Sequence, residues 1–232
     1  MKLLRFGRRI RGIDGLAALL IAAAAGTYAV RTLQRPQPPQ TRFGKPIPSR
    51  LVQRLDRLGF GRSVGNAAAP VRVMALVDYQ CRASAAAHDS IWPHLGPQVN
   101  AGRVHFTVHP LPLPTQGASV PAAAMLACAS AGGSPEAFWT LRDQVMRQQA
   151  TWSAQKDPEA ALLGIAARAG LDTGRIKGCM DADDGALRRS LAGVWKQADA
   201  AHLAFTPVYA VNGRIVFWGD VRSHVDSLLR TQ

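Results

Sequence analysis

The chain has 232 residues, 47% hydrophobic and 19% charged, enough to bury a sizeable core in one domain and still leave appendages. Its net charge of +13 invites a nucleic-acid reading, but residues 1–62 hold 13 of the 28 Lys and Arg and only 2 of the 15 Asp and Glu, which leaves residues 63–232 at +2. A domain without its own basic footprint is not expected to bind nucleic acid, and the N-terminal excess suits anionic lipid headgroups instead.

In chain order, Lys2, Arg5, Arg8, Arg9 and Arg11 precede an uncharged run of 16 residues, Gly15 to Val30, short for an ordinary membrane span. A cleaved signal peptide with Ala23 and Ala25 near the cut is one reading. An uncleaved anchor is the other, lengthened from Ile10 to Leu33 by snorkelling arginines. A buried core helix is opposed by the basic flanks. We expect residues 1–33 to be a signal anchor or signal peptide, with the anchor favoured and the lipid bilayer as its partner. Residues 34–62 form a proline-rich basic linker through Pro36, Pro38, Pro39, Pro46 and Pro48. Within it Ser49–Leu58 can fold as an amphipathic helix with Leu51, Leu55 and Leu58 on one face, lying on lipid or on the domain.

The domain is expected over 63–232. Val71–Val77 is rich in apolar and β-branched residues and reads as a buried strand. Asp78-Tyr79-Gln80-Cys81 follows, then an Ala-rich helix, then a second strand at Val104–Val108. Helices are expected at Pro121–Ala131 and Pro135–Gln149, each with proline in its first turn. Another runs over Glu159–Ala169, ended by Gly170, and two more over Thr173–Met180 and Gly185–Ala200. Val208–Asn212 and Ile215–Trp218 flank Asn212-Gly213, a strong hairpin signal, and Val221–Leu229 closes the chain as a helix. The three cysteines, Cys81, Cys128 and Cys179, include no CxxC and no zinc-ligand spacing, so neither a metal nor another cofactor is expected. An odd count in an exported protein suggests one pair and one free thiol.

Several short runs carry a family likeness. Gly65-Asn66 and Ala69-Pro70-Val71 lead into the first strand, and Val77-Asp78-Tyr79-Gln80-Cys81 leads out of it. Phe138-Trp139, Gly170-Leu171-Asp172, Thr206-Pro207 and Val211-Asn212-Gly213 follow in order. From about residue 64 to 230 the chain resembles the DsbA family of disulfide oxidoreductases. The resemblance implies an α/β thioredoxin fold with an all-helical insertion at about 115–203, preceded here by the anchor helix. It implies a cis bond before Pro207, whose loop faces the active-site cysteine and pairs with an extended client. It also implies a structural disulfide between Cys128 and Cys179. Two departures bear on function: the family's CxxC is Cys81-Arg82-Ala83-Ser84 here, and Phe205 replaces the glycine usual before the threonine-proline pair.

Cys81 is expected at a helix N-terminus, where backbone N–H groups favour a nucleophilic sulfur. Ser84 stands where the resolving cysteine would be, its hydroxyl placed to donate to that sulfur. Arg82, Phe205, Thr206 and Pro207 are the candidate client contacts. With one thiol, a mixed disulfide must be released by an outside thiol. The expected function is therefore monothiol exchange on protein or glutathione disulfides, in a periplasmic domain tethered to the bacterial inner membrane. The rival is a non-catalytic scaffold, chaperone or accessory subunit of a membrane complex using the same groove. Asp78 is expected to cap the loop, His88 to lie on a helix surface, and Phe138, Trp139 and Trp195 to be core.

Overall fold

A computed structural model describes residues 43–131, 135–182 and 185–231. The anchor expected at 1–33 and the first part of the linker lie outside these residues.

The sheet is organised around β2 (Val71–Val77), buried on one face along its length and on the other toward its C-terminal end, with Arg72 exposed. Val71, Val73, Ala75 and Val77 enter one hydrophobic cluster, while Leu76 and Met74 face a second. That division follows from the two-residue period of an extended chain. β2 runs parallel to β3 (Val104–Pro110), with Val71 opposite Val104. On its other side it pairs antiparallel with β4 (Val208–Val211), which turns at Asn212-Gly213 into β5 (Arg214–Val216). β1 (Arg62–Val64) lies antiparallel on the far edge of β3, giving the order β1-β3-β2-β4-β5.

The segment before β1 lies against the opposite edge of the sheet. Gly44 N–H donates to Ile215 O at 2.7 Å, Ile215 N–H to Lys45 O at 2.7 Å, and Ile47 N–H to Gly213 O at 2.8 Å. Pro46 and Pro48 flank the Ile47 donor, so their missing N–H groups cost the pairing nothing. Helix α1 (Ser49–Leu58) then sets Leu51 and Leu55 into the second cluster, leaving Leu58 36% exposed. Of its two expected settings, the domain surface is the one observed.

α2 (Arg82–Asn100) follows β2, and the chain between β3 and β4 is helical. It forms α3 (Ser119–Ser130), α4 (Pro135–Arg147), α5 (Gln149–Trp152), α6 (Pro158–Arg168), α7 (Thr173–Asp181) and α8 (Ala186–Ala200). α4 is shorter than expected because the chain folds back so that the buried Trp152 indole N–H reaches Val145 O at 2.8 Å. Trp218 leaves β5 for a 3-10 turn, Trp218–Asp220, before α9 (Val221–Arg230). The architecture is an α/β thioredoxin fold with a helical insertion. Within the insertion Cys128 of α3 and Cys179 of α7 are joined by a disulfide, with Cα atoms 5.8 Å apart.

The buried Arg142 of α4 was not foreseen. Its guanidinium lies 5.5 Å from the Trp92 and Phe106 ring centres and 5.6 Å from that of Trp139. Such faces are a favourable surround for a cation removed from water. Burial pushes the neighbouring Tyr79 and Tyr209 hydroxyls up to about 12. Trp139 thus serves the core, as expected, by walling in a charge.

Candidate active site

The loop between β2 and α2 is held by one buried carboxylate. Asp78 accepts from the Gln80 N–H at 2.8 Å, the Leu113 N–H at 2.8 Å and the Ser119 hydroxyl at 2.7 Å. Burial raises its pKa above the ordinary carboxylate value while these hydrogen bonds pull the other way. Asp78 therefore caps the loop, and Gln80 fastens it further. The Gln80 side-chain oxygen accepts from Ala118 N–H at 2.7 Å, and its carbonyl accepts from the Gln149 side-chain amide. Neither Ser119 nor Gln149 carried a sequence signal of its own. Each lies dozens of residues from the loop and meets it only through the fold.

Cys81 follows as the N-cap residue of α2, half-buried and free. Its sulfur lies 3.7 Å from the carbonyl oxygen of Thr206, across 125 residues of sequence. The Thr206–Pro207 peptide bond is cis. Strand topology produces this meeting, because the C-terminal end of β2 and the N-terminal end of antiparallel β4 are neighbours. Pro207 is buried, Phe205 packs against the second hydrophobic cluster, and Arg82 is exposed beside Cys81.

Ser84 and His88 sit differently from expectation. Ser84 is fully buried, and its hydroxyl accepts from the Asp78 N–H at 3.4 Å, facing inward instead of donating to the Cys81 sulfur. Three residues into the helix, a side chain has turned about 300° from the first. His88 belongs to that inner face and is 1% exposed, with Nε2 3.0 Å from Asp143 Oδ1. Burial, aided by the Arg142 charge, lowers its pKa to about 4. It lies seven residues below Cys81, roughly 10 Å along the axis, too far to serve as its base. Among the described residues no three His, Cys, Asp or Glu converge as metal ligands, and no helix is long and apolar enough to cross a membrane.

A strand leading into a capped loop, one cysteine at the head of a helix and a cis-proline loop against its sulfur define a thioredoxin-fold domain. The chain belongs to the thioredoxin family, which it matches over residues 59–229. Solved structures similar to it include BdbD from Bacillus subtilis in its oxidised form, at 16% identity and a TM-score of 0.61 over 75% of this chain and 95% of that one. DsbA from Mycobacterium tuberculosis, reduced, is 21% identical with a TM-score of 0.57 over 75% and 99% of the two chains. A protein-disulfide isomerase from Novosphingobium aromaticivorans is 20% identical with a TM-score of 0.56 over 73% and 97%. At these identities the likeness is one of fold. No curated protein matches the chain.

Proposed function

We propose that this protein is a thiol–disulfide exchange protein of monothiol type, tethered by residues 1–33 to the bacterial inner membrane with its domain in the periplasm. Cys81 is the nucleophile. Its thiolate attacks one sulfur of a client or glutathione disulfide; a Cys81–client disulfide forms, the original S–S bond breaks, and the other sulfur leaves as a thiolate. A second, external thiol then attacks the mixed disulfide, forming a new S–S bond and releasing Cys81 with the electron pair. The chemistry requires only thiols and disulfides, so no cofactor enters. The observation that carries this reading is the Cys81 sulfur 3.7 Å from Thr206 O, at the cis-proline loop on which an extended client would pair.

One observation favours the rival, a scaffold or accessory subunit that binds a membrane-complex partner in the same place. Ser84 is turned inward and offers nothing to a disulfide at Cys81. The test is Cys81→Ser in the full chain. The exchange reading expects mixed disulfides with cysteine-bearing clients or glutathione to disappear entirely. Retained partner binding and phenotype, with no adduct on the wild-type Cys81, would instead establish the scaffold.

A further inference from the structure

A cavity of about 570 Å³ opens beside the reactive loop, lined by Gln80, Gly117, Ala118, Pro121 and the stretch 156–159. Its volume is that of pockets that enclose small ligands or a few residues of chain. Both walls are pinned. Gln80 is fixed through its carbonyl and its side chain. Opposite it, Asp157 caps α6 by accepting from Ala160 N–H at 3.0 Å, and Glu159 is held by Arg188 at 3.0 and 3.1 Å. Both acidic groups of this wall have partners within the chain, Asp157 at the exposed start of α6 and Glu159 on Arg188. Lys156 is exposed beside them, and the floor of Gly117, Ala118, Pro121 and Pro158 is small and apolar.

The cavity adjoins the candidate site through Gln80, the residue before Cys81. β2, β3 and β4 bring three connections to one end of the sheet, with the loop after β2 in the middle. The Thr206 loop that enters β4 lies on one side of it, and the stretch after β3 that reaches Ala118 lies on the other. Cys81 faces the first and Gln80 the second. Two strand spacings, roughly 10 Å, are covered by about three extended residues. From Cys81, about three extended residues of a client are therefore enough to reach the Gln80 side of the loop.

Resting on the exchange reading above, we infer that this cavity is a second client subsite. It takes the polypeptide flank of the target cysteine, with an apolar residue on Ala118, Pro121 and Pro158 and an acidic one near Lys156, and so directs Cys81 toward protein disulfides. The probes are two disulfides that release the same coloured thiolate. One is a decapeptide with a central cysteine carried as its mixed disulfide with 2-nitro-5-thiobenzoate, flanked by leucine and glutamate. The other is 5,5′-dithiobis(2-nitrobenzoate), which has no peptide flank. In each, attack by the Cys81 thiolate forms a disulfide at Cys81 and expels nitrothiobenzoate with the bonding electrons. Gly117→Trp brings an indole to the cavity wall, where a Cβ meets nothing within 4 Å. We expect it to slow the peptide about tenfold and the small disulfide less than twofold. Lys156→Glu should slow the glutamate-flanked peptide and speed a lysine-flanked one. If Gly117→Trp changes both probes alike or neither, and Lys156→Glu leaves the charge preference unmoved, the subsite is overturned while the exchange reading stands. If wild-type Cys81 reacts with neither probe, both fail together.

Discussion

Sulfur occupies two regions of this domain under opposite conditions. At the end of the sheet, Cys81 is half-buried at the head of α2, unpaired, with its sulfur toward the Thr206 carbonyl. In the insertion, Cys128 is fully buried in α3 and bonded to Cys179, and the Arg175 guanidinium donates to the Cys128 carbonyl at 3.2 Å. The first sulfur is presented by a loop whose shape is set by polar groups: Asp78, Gln80, Ser119 and Gln149. The second pair is packed on the apolar core of the insertion, Cys128 fully buried and Cys179 partly so. The same element becomes a reagent or a rivet according to whether hydrogen bonds or packed side chains position it.

The largest way to test that division is to remove the rivet. The disulfide closes a loop across a sequence separation of 51, and loop-closure entropy assigns it roughly 4 kcal/mol. Cys128→Ala with Cys179→Ala should lower the unfolding free energy by up to that amount in urea titrations. The rate at which Cys81 forms mixed disulfides, measured under conditions where the variant is folded, should change less than twofold. A tenfold loss of that rate would mean the two regions are coupled.

The next test acts on the helix that carries Cys81. His88 is neutral in the fold, with a pKa held down to about 4 by burial and by Arg142, against about 6.5 in an unfolded chain. The unfolded state therefore binds the extra proton as pH falls through this window. The stabilisation is complete above pH 6.5 and is lost progressively down to about 4, reaching about 3 kcal/mol. His88→Gln removes the titration and keeps an amide that can donate to Asp143. Its stability should fall less steeply between pH 6.5 and 4, by up to one proton per molecule. An unchanged slope would show that His88 does not set the acid limit.

These particulars also mark what the sequence could express. Val71–Val77 was legible with its bounds because six of its seven residues are apolar and three are valines, a run that suits a buried strand. Cys81 at a helix start and Thr206–Pro207 opposite it were legible only through the family resemblance, since nothing local brings residues 81 and 206 together. β1 is three residues long and has no pattern to detect. The stretch 43–48 reads as a spacer because proline dominates it, yet Gly44 and Ile47 supply the donors that seal β5. His88 reads as a surface residue, and nothing in the sequence singles out Arg142 for burial, because charge and polarity usually mean water. Their burial depends on Asp143 and on three aromatic rings, of which Trp92 and Phe106 come from other elements.

The smallest effect is expected at Ser84, which belongs to the mouth by sequence and to the interior by burial. Its hydroxyl serves the Asp78 N–H across 3.4 Å, a long hydrogen bond. Ser84→Ala leaves that N–H without its acceptor and should cost about 1 kcal/mol of stability. If the interior claims the residue, the mixed-disulfide rate of Cys81 will stay within twofold of wild type. If the hydroxyl turns toward the sulfur when a client binds, the same substitution will slow the reaction tenfold or more with little further loss of stability. Ser84→Cys separates the cases again, because a thiol at this position acts only if it reaches Cys81. In that event client adducts should resolve without an external thiol, and the boundary between reagent and interior would lie one turn deeper in α2 than the hydrogen bond places it.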